Sequence, residues 1–236
     1  MNNVETPKVL VCAPTNEVKG YALEEWAETV QNLTYPNYDV FLCDNSKTHD
    51  FRRKLRKMGF ITDHIRPKQK DVRYTIAQSH ERCRNYFMKR PEYRYMLHLE
   101  TDVIPPVDII ERLRDGMTHH KKVVGAMYHI DEWKYSHLMI QKREKFGELR
   151  LVDNLEDDDM GFVDGTIKQV YSMGLGCLLI DRKVLELIQF RAVEGMDAHP
   201  DSFFAADLDE LEISQWLDTS ILCKHLNKPE LHKAHK

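Results

Sequence analysis

Three short apolar runs, each closed by a cluster of polar residues, constrain this chain more than any other feature. Val9-Leu10-Val11-Cys12-Ala13 stops at Pro14-Thr15, Asp39-Val40-Phe41-Leu42-Cys43 stops at Asp44-Asn45-Ser46, and Tyr95-Met96-Leu97-His98-Leu99 stops at Glu100-Thr101-Asp102. Runs this short and unbroken suit strands buried on both faces, as in a parallel sheet covered by crossover helices. Between the first two runs, Ala22, Leu23, Trp26, Ala27, Val30 and Leu33 recur at helical steps from Tyr21 and end before Pro36. That spacing predicts an amphipathic helix and completes a βαβ unit, placing the chain in the α/β class. Ligands of open α/β sheets bind beyond the carboxyl ends of the strands, so Thr15 and Asp44 point to one crevice.

The pattern continues to the carboxyl terminus. Phe51 to Met58 predicts a basic helix, Ile61 to Ile65 a short strand, and Asp71 to Lys89 a longer helix that buries Ile76, Cys83 and Phe87. On another face of that helix Gln78, Arg82 and Asn85 form a polar stripe. Pro105-Pro106 ends the strand region after Asp102, because proline cannot extend a ladder. A helix over Ile109 to Met117, a strand over Val123 to Tyr128, a buried strand over Val170 to Ile180 interrupted by Gly174 and Gly176, where a missing side chain permits close approach by ligand or backbone, and a helix over Arg182 to Ile188 follow. The last strand runs from Trp216 through Leu222 toward His225. Between them, Asp131 to Lys168 is polar and irregular, with a hairpin signal at Phe146-Gly147-Glu148 and an acidic run at Glu156 to Asp159, and reads as an inserted lid.

Composition narrows the function classes. With 42% apolar residues, 236 residues support a large core. A net charge of −4, from 34 basic and 38 acidic side chains, favours no polyanionic partner in bulk. The basic helix with Arg52, Arg53, Lys54, Arg56 and Lys57 reads as a solvated face, with a phosphate-rich acceptor as the alternative. Five scattered cysteines without a CxxC pair read as buried, reduced thiols. The stretch MNNVETPKV lacks a basic flank with an apolar core, and no run approaches the roughly 20 apolar residues of a membrane helix. The expectation is a cytoplasmic protein without a transmembrane segment.

Two carboxylates at alternate positions of an extended segment project to one side, so Glu100 and Asp102 can address one cation. Oxygen ligands of this kind suit Mg2+ or Mn2+, which bind one or two protein carboxylates together with substrate phosphates. A solvated acidic turn is the alternative. His98 precedes them on the same strand, either as a group that orients a ligand or as a hydrogen-bonded core histidine. The run Glu156 to Asp159 lacks the spacing of an EF-hand loop.

The order VLVCAPT, FLCDNS, AQSHERCRNYF, YMLHLETDVIPP and MGLGCLLI resembles glycosyltransferases of the GT-A fold, especially the family-two-like branch, over most of the chain. The resemblance implies one GT-A domain across residues 1–236, with a nucleotide-binding half at about 7–106 and an acceptor half at about 107–236. Its sheet would be mixed, mostly parallel and flanked by helices, with an inserted hairpin region. It assigns Thr15, Asp44, Arg82 and Asn85 to a nucleoside-diphosphate sugar and Gly174 and Gly176 to the acceptor side. The metal motif falls on Glu100-Thr101-Asp102, with glutamate in place of the family's first aspartate, and His225 in LDTSILCKHL becomes a third metal ligand. A catalytic carboxylate is implied in DSFFAADLDE, where Asp201, Asp207, Asp209 and Glu210 are candidates for the base; the family's usual Glu-Asp pair is absent, so the stereochemical course stays open. The implied reaction is Mn2+- or Mg2+-dependent transfer of a hexose or pentose to a hydroxyl of a glycan, a protein or a hydroxylated DNA base. A nucleotidyltransferase is the rival enzyme, although APTNEVKG is a poor phosphate loop. A non-catalytic sugar-nucleotide-binding module is the other rival.

Overall fold

A computed structural model describes residues 6–66, 71–130, 137–143, 147–153, 159 and 161–226. Strand β1 (Lys8–Thr15) leads through a five-residue 3-10 segment (Glu17–Tyr21) into helix α1 (Leu23–Gln31), then β2 (Tyr38–Asp44), α2 (Asp50–Lys57) and β3 (Ile61–His64). Helix α3 (Val72–Met88), with Asp71 capping Arg73 N, precedes β4 (Tyr93–Leu99) and a two-residue strand β5 (Val103–Ile104). Next come α4 (Ile109–Gly116), β6 (Val123–Met127) and an antiparallel hairpin of β7 (His137–Arg143) and β8 (Leu149–Asp153). The chain then runs through β9 (Ile167–Val170), β10 (Cys177–Asp181), α5 (Arg182–Leu185), α6 (Pro200–Glu210), β11 (Gln215–Leu222) and β12 (Lys224–His225).

Eight strands form one sheet in the order β3-β2-β1-β4-β10-β6-β11-β9. The pairings β1·β2, β1·β4, β2·β3 and β6·β11 are parallel, while β10 is antiparallel to both β4 and β6 and β9 is antiparallel to β11. The carboxyl ends of β1, β2, β3 and β4 therefore lie along one edge. Alternation along β1 splits the core between the two faces. Val9, Val11 and Ala13 pack with Trp26, Leu55, Ile110 and Leu113 from α1, α2 and α4, whereas Leu10 and Cys12 pack with Cys83, Phe87, Val184 and Leu208 from α3, α5 and α6. Trp26, fully buried, meets Phe60 edge-on at 5.7 Å between ring centres. All five cysteines are buried and unpaired.

The structure corrects one strand. Val170 to Ile180 is two elements: β9 at the sheet edge and β10 in the middle of the sheet, joined by residues 171–176. Both ends are apolar enough to read as one run, but Gly174 has φ +34°, a left-handed turn that breaks the strand. The expected helix at 71–89 is present, with Cys83 and Phe87 buried and Ile76 only partly so. The hairpin signal corresponds to β7 and β8, with Gly147 at φ +82° beside the turn and Phe146 outside the described residues. Within the acidic run, residues 156–158 lie outside the described residues. Asp159 is buried and accepts from Arg150 Nη1 at 2.8 Å and from Lys142, so it anchors the hairpin and does not face solvent. The basic helix α2 buries Phe51 and Leu55 and turns Arg53 and Lys54 outward, where Arg53 pairs with Asp50 and Lys54 with Glu24 of α1 at 3.8 Å. Among the described residues no helix is long and apolar enough to cross a membrane.

Candidate active site

Three turns at the carboxyl edge of the sheet are tied together by hydrogen bonds between neutral groups. Asn16 caps the 3-10 segment by accepting from Val18 N and Lys19 N, and its Nδ2 donates to Asn45 Oδ1 at 3.1 Å. Glu17 N donates to Ser46 Oγ at 2.9 Å, and Thr15 Oγ1 lies 2.9 Å from Thr101 Oγ1. The turns after β1, β2 and β4 are thus one hydrogen-bonded unit. Thr15 and Asp44 are inside it: Asp44 is fully buried and accepts from Ser46 N at 3.0 Å and from His64 Nδ1 at 3.0 Å.

Lys19 stands over this unit. Its ammonium donates to Glu100 Oε2 at 2.9 Å and to Asp102 Oδ1 at 2.8 Å. Burial pushes the Glu100 carboxyl up, but the charge and hydrogen bond of Lys19 outweigh it and hold the carboxyl at about 2. Burial likewise pushes the Lys19 ammonium down, and the two carboxylates more than offset it, leaving its pKa above the ordinary lysine value. Tyr21, two residues on, donates to Leu226 O at 2.6 Å, and burial followed by the Asp102 charge raises its hydroxyl to about 12.

His225 reaches the same place through a two-residue ladder. β12 pairs antiparallel with β5, setting His225 opposite Val103, and Leu226 N donates to Asp102 O at 2.7 Å. His225 Nδ1 lies 2.8 Å from His129 O, and a carbonyl can only accept, so Nδ1 carries the proton. Nε2 lies 3.9 Å from Asp102 Oδ2. Burial lowers the imidazole pKa, and the adjacent Asp102 carboxylate reverses this to give a net rise. Among the described residues no three His, Cys, Asp or Glu side chains are gathered closely enough to hold a metal as they stand. The donor set nevertheless suits one: two carboxylates and an imidazole oriented by a backbone carbonyl, as metal-ligating histidines usually are.

The other predicted residues divide. Arg82 and Asn85 line, with Gln78, Tyr74, Ile65 and Phe190, a cavity of about 390 Å3. Arg82 lies 3.4 Å from Asp63 and Asn85 donates to Glu81 at 3.1 Å. Asp201, at the start of α6, has its carboxyl raised by burial, opposed by Ser202 N–H and reinforced by the charge of Glu100. Asp207 pairs with Arg191 at 2.6 Å and Asp209 with Arg143 at 2.6 Å, and the exposed Glu210 ends the helix. The charge of Glu100 acts on the Asp201 carboxyl, while Asp207 and Asp209 are occupied by Arg191 and Arg143. A larger cavity of about 490 Å3, lined by Lys142, Arg143, Tyr171 and Asp209, includes none of Glu100, Asp102 and His225. His98 is a core histidine: it is fully buried, its Nε2 lies 2.7 Å from His80 Nδ1, and its Nδ1 donates to Leu175 O.

Gly174 and Gly176 serve Tyr128, which sequence reasoning missed. Gly176 N donates to Tyr128 Oη at 3.0 Å, Glu100 N donates to Gly176 O at 2.9 Å, and the Tyr128 ring meets His225 edge-on at 5.5 Å between centres. Burial, with the Glu100 charge adding to it, raises the Tyr128 hydroxyl well above its ordinary value. A Cβ at Gly176 would lie 2.4 Å from Tyr128 Cζ. Gly176→Ala is therefore expected to destabilise the protein by about 1–3 kcal/mol, several degrees of melting temperature at this size. Adding Tyr128→Leu should recover part of that loss in thermal melts. An unchanged melting temperature in the single variant would show that the ring moves aside freely.

No family model and no curated protein matches this sequence. Solved structures do. A197 from STIV matches over 94% of this chain and 86% of that one, at 15% identity and a TM-score of 0.55. The crystal structure of GalNAc-T7 with UDP, GalNAc and Mn2+ matches over 96% of this chain at 11% identity and a TM-score of 0.61. This chain spans 45% of the GalNAc-T7 chain. At such identities the likeness is one of fold. A mixed, mostly parallel sheet flanked by helices, aligned over nearly the whole chain with a glycosyltransferase, is a GT-A-like fold.

Proposed function

We propose that this chain is a metal-dependent glycosyltransferase of the family-two-like branch, a single domain acting in the cytoplasm on a nucleoside-diphosphate sugar and a hydroxyl acceptor. One observation carries the proposal: Glu100, Asp102 and His225 converge at the carboxyl edge of a GT-A-like sheet, where a cationic group already bridges the two carboxylates. GalNAc-T7, with the same fold, is seen with UDP, GalNAc and Mn2+, which supports a nucleotide sugar and a divalent ion here.

Glu100, Asp102 and His225 would hold the ion, Mn2+ or Mg2+. When bound, it supplies charge neutralisation for the departing diphosphate. Gln78, Arg82 and Asn85 receive part of the donor in the cavity beside α3. Asp201 takes the proton of the acceptor hydroxyl as that oxygen bonds to the anomeric carbon and the diphosphate leaves with the electron pair of the broken bond. A carboxyl raised by burial suits a base, because proton affinity closer to the working pH improves transfer. Tyr128, held by Gly176 N–H, packs edge-on against the His225 ring and steadies it.

The test is a thermal-shift series of sugar nucleotides with and without Mn2+. A matching donor at 100 times its dissociation constant stabilises by roughly 2.7 kcal/mol, about 5–10 °C for a chain of this size, and the shift should require both components. No shift with any sugar nucleotide would overturn the donor assignment.

A further inference from the structure

The bridging lysine is itself informative. The Lys19 ammonium lies within 3 Å of one oxygen of Glu100 and one of Asp102, and it reaches them from a segment that little else holds in place. None of the five residues Glu17–Tyr21 is buried, and Val18 and Tyr21 are 52% and 39% exposed. Gly20 leaves open backbone space, since an added Cβ would touch only Phe51 at 3.5 Å. The contacts that fasten the segment are polar: the Asn16 cap, Glu17 N on Ser46, Ala22 N on Lys19 O, Tyr21 on Leu226 O, and Lys19 itself. Elements without buried apolar contacts open at low cost. By contrast Asp102, with its side chain 8% exposed, is fixed by the β5·β12 ladder.

Resting on the reading of Glu100 and Asp102 as cation ligands, we propose that Lys19 is the resident counter-ion of this site and that its pairing excludes a divalent ion. An ion of the Mg2+ class binds carboxylate oxygens at about 2.1 Å. An ammonium on the same oxygens would stand against it charge to charge inside a partly desolvated crevice. Ion entry therefore requires Lys19 to leave, carried by Glu17–Tyr21, and the cost of breaking its two charge-assisted bonds is subtracted from ion affinity. Lys19 keeps the two carboxylates compatible when no ion is present and sets the concentration at which an ion replaces it.

The experiment is titration of the full chain with Mn2+ alone, following free Mn2+ by electron paramagnetic resonance, for the wild type, Lys19→Met, Lys19→Arg, Asp102→Asn and the Lys19→Met/Asp102→Asn pair. Lys19→Met should bind Mn2+ about tenfold or more tightly than the wild type. Lys19→Arg should stay near the wild type, and both variants carrying Asp102→Asn should lose binding. In thermal melts Lys19→Met should be less stable than the wild type in EDTA, because two carboxylates then face each other, and Mn2+ should restore it. Lys19→Gln gives the same reading if Lys19→Met does not fold. Asp102-dependent binding of equal or lower affinity in Lys19→Met overturns the counter-ion role and leaves the metal site standing. No binding at millimolar Mn2+ in either protein, or binding indifferent to Asp102, overturns both.

Discussion

Asp102→Asn is expected to lower metal-dependent turnover of the sugar nucleotide by roughly two to three orders of magnitude, the loss typical when one preorganised charge-stabilising group is removed. The substitution preserves volume and leaves the backbone contact from Leu226 N to Asp102 O in place, so the β5·β12 ladder and the position of His225 should survive. What it removes is the carboxylate that lies nearest both Lys19 and His225. Glu100→Gln should cost less, because the Glu100 side chain is 30% exposed where that of Asp102 is 8% exposed, and an exposed ligand is more readily replaced by water. Initial rates with Mn2+ in excess check both variants. A rate for Asp102→Asn within a few fold of the wild type would remove Asp102 from the site.

Stability should fall as pH is lowered from about 6.5 to about 4, with His80 and His98 as the cause. Burial is the main effect on each: it lowers the His98 imidazole to about 4 and that of His80 well below its ordinary 6.5, where the neighbouring His98 lowers it further. The Glu100 charge opposes both shifts and the Lys19 charge adds to them. The ring of Phe190 packs 5.3 Å from His80. The unfolded chain takes up protons on both imidazoles near 6.5, while the folded protein does not until about 4 or below. Between those values the unfolded state holds more protons, so acidification favours unfolding; above 6.5 the effect is absent. For His98 alone the interval amounts to on the order of 3 kcal/mol. His225 and Asp201, both raised, act in the opposite sense, each contributing stability that is present at low pH and lost as pH rises through its folded value. Urea midpoints at pH 7 and pH 4.5 measure the balance. A midpoint that stays level or rises toward pH 4.5 would contradict the two neutral imidazoles.

The elements most legible in the sequence were those whose signal is local. β1, β2 and β4 are uninterrupted apolar runs with polar stops, and α3 shows both its buried stripe and its Gln78-Arg82-Asn85 face, so the carboxyl edge of the sheet could be located from patterns a few residues long. What escaped depends on contacts distant in sequence. Lys19 reads as one more polar residue of a loop, and its partners lie 81 and 83 positions away. His225 is named only through the family resemblance, because it comes beside Asp102 through a ladder too short to leave a periodic signal. At Gly174 and Gly176, where the sequence leads one to expect a ligand or backbone, the group that packs close is the side chain of Tyr128, 48 residues before Gly176. Strand β10 enters antiparallel between β4 and β6, which no single run of apolar residues can announce. Within α6 composition alone could not rank Asp201, Asp207 and Asp209, because the ranking comes from Arg191 and Arg143 occupying two of them.

The central claim, a divalent-ion-dependent glycosyl transfer site at Glu100 and Asp102, is tested most directly by nucleoside diphosphate release from a panel of sugar nucleotides by the wild-type chain. At least one donor should release its diphosphate with Mn2+ or Mg2+, stop when EDTA is added and resume when the ion is restored. Release that continues unchanged in EDTA, or no release from any donor with either ion, would contradict it.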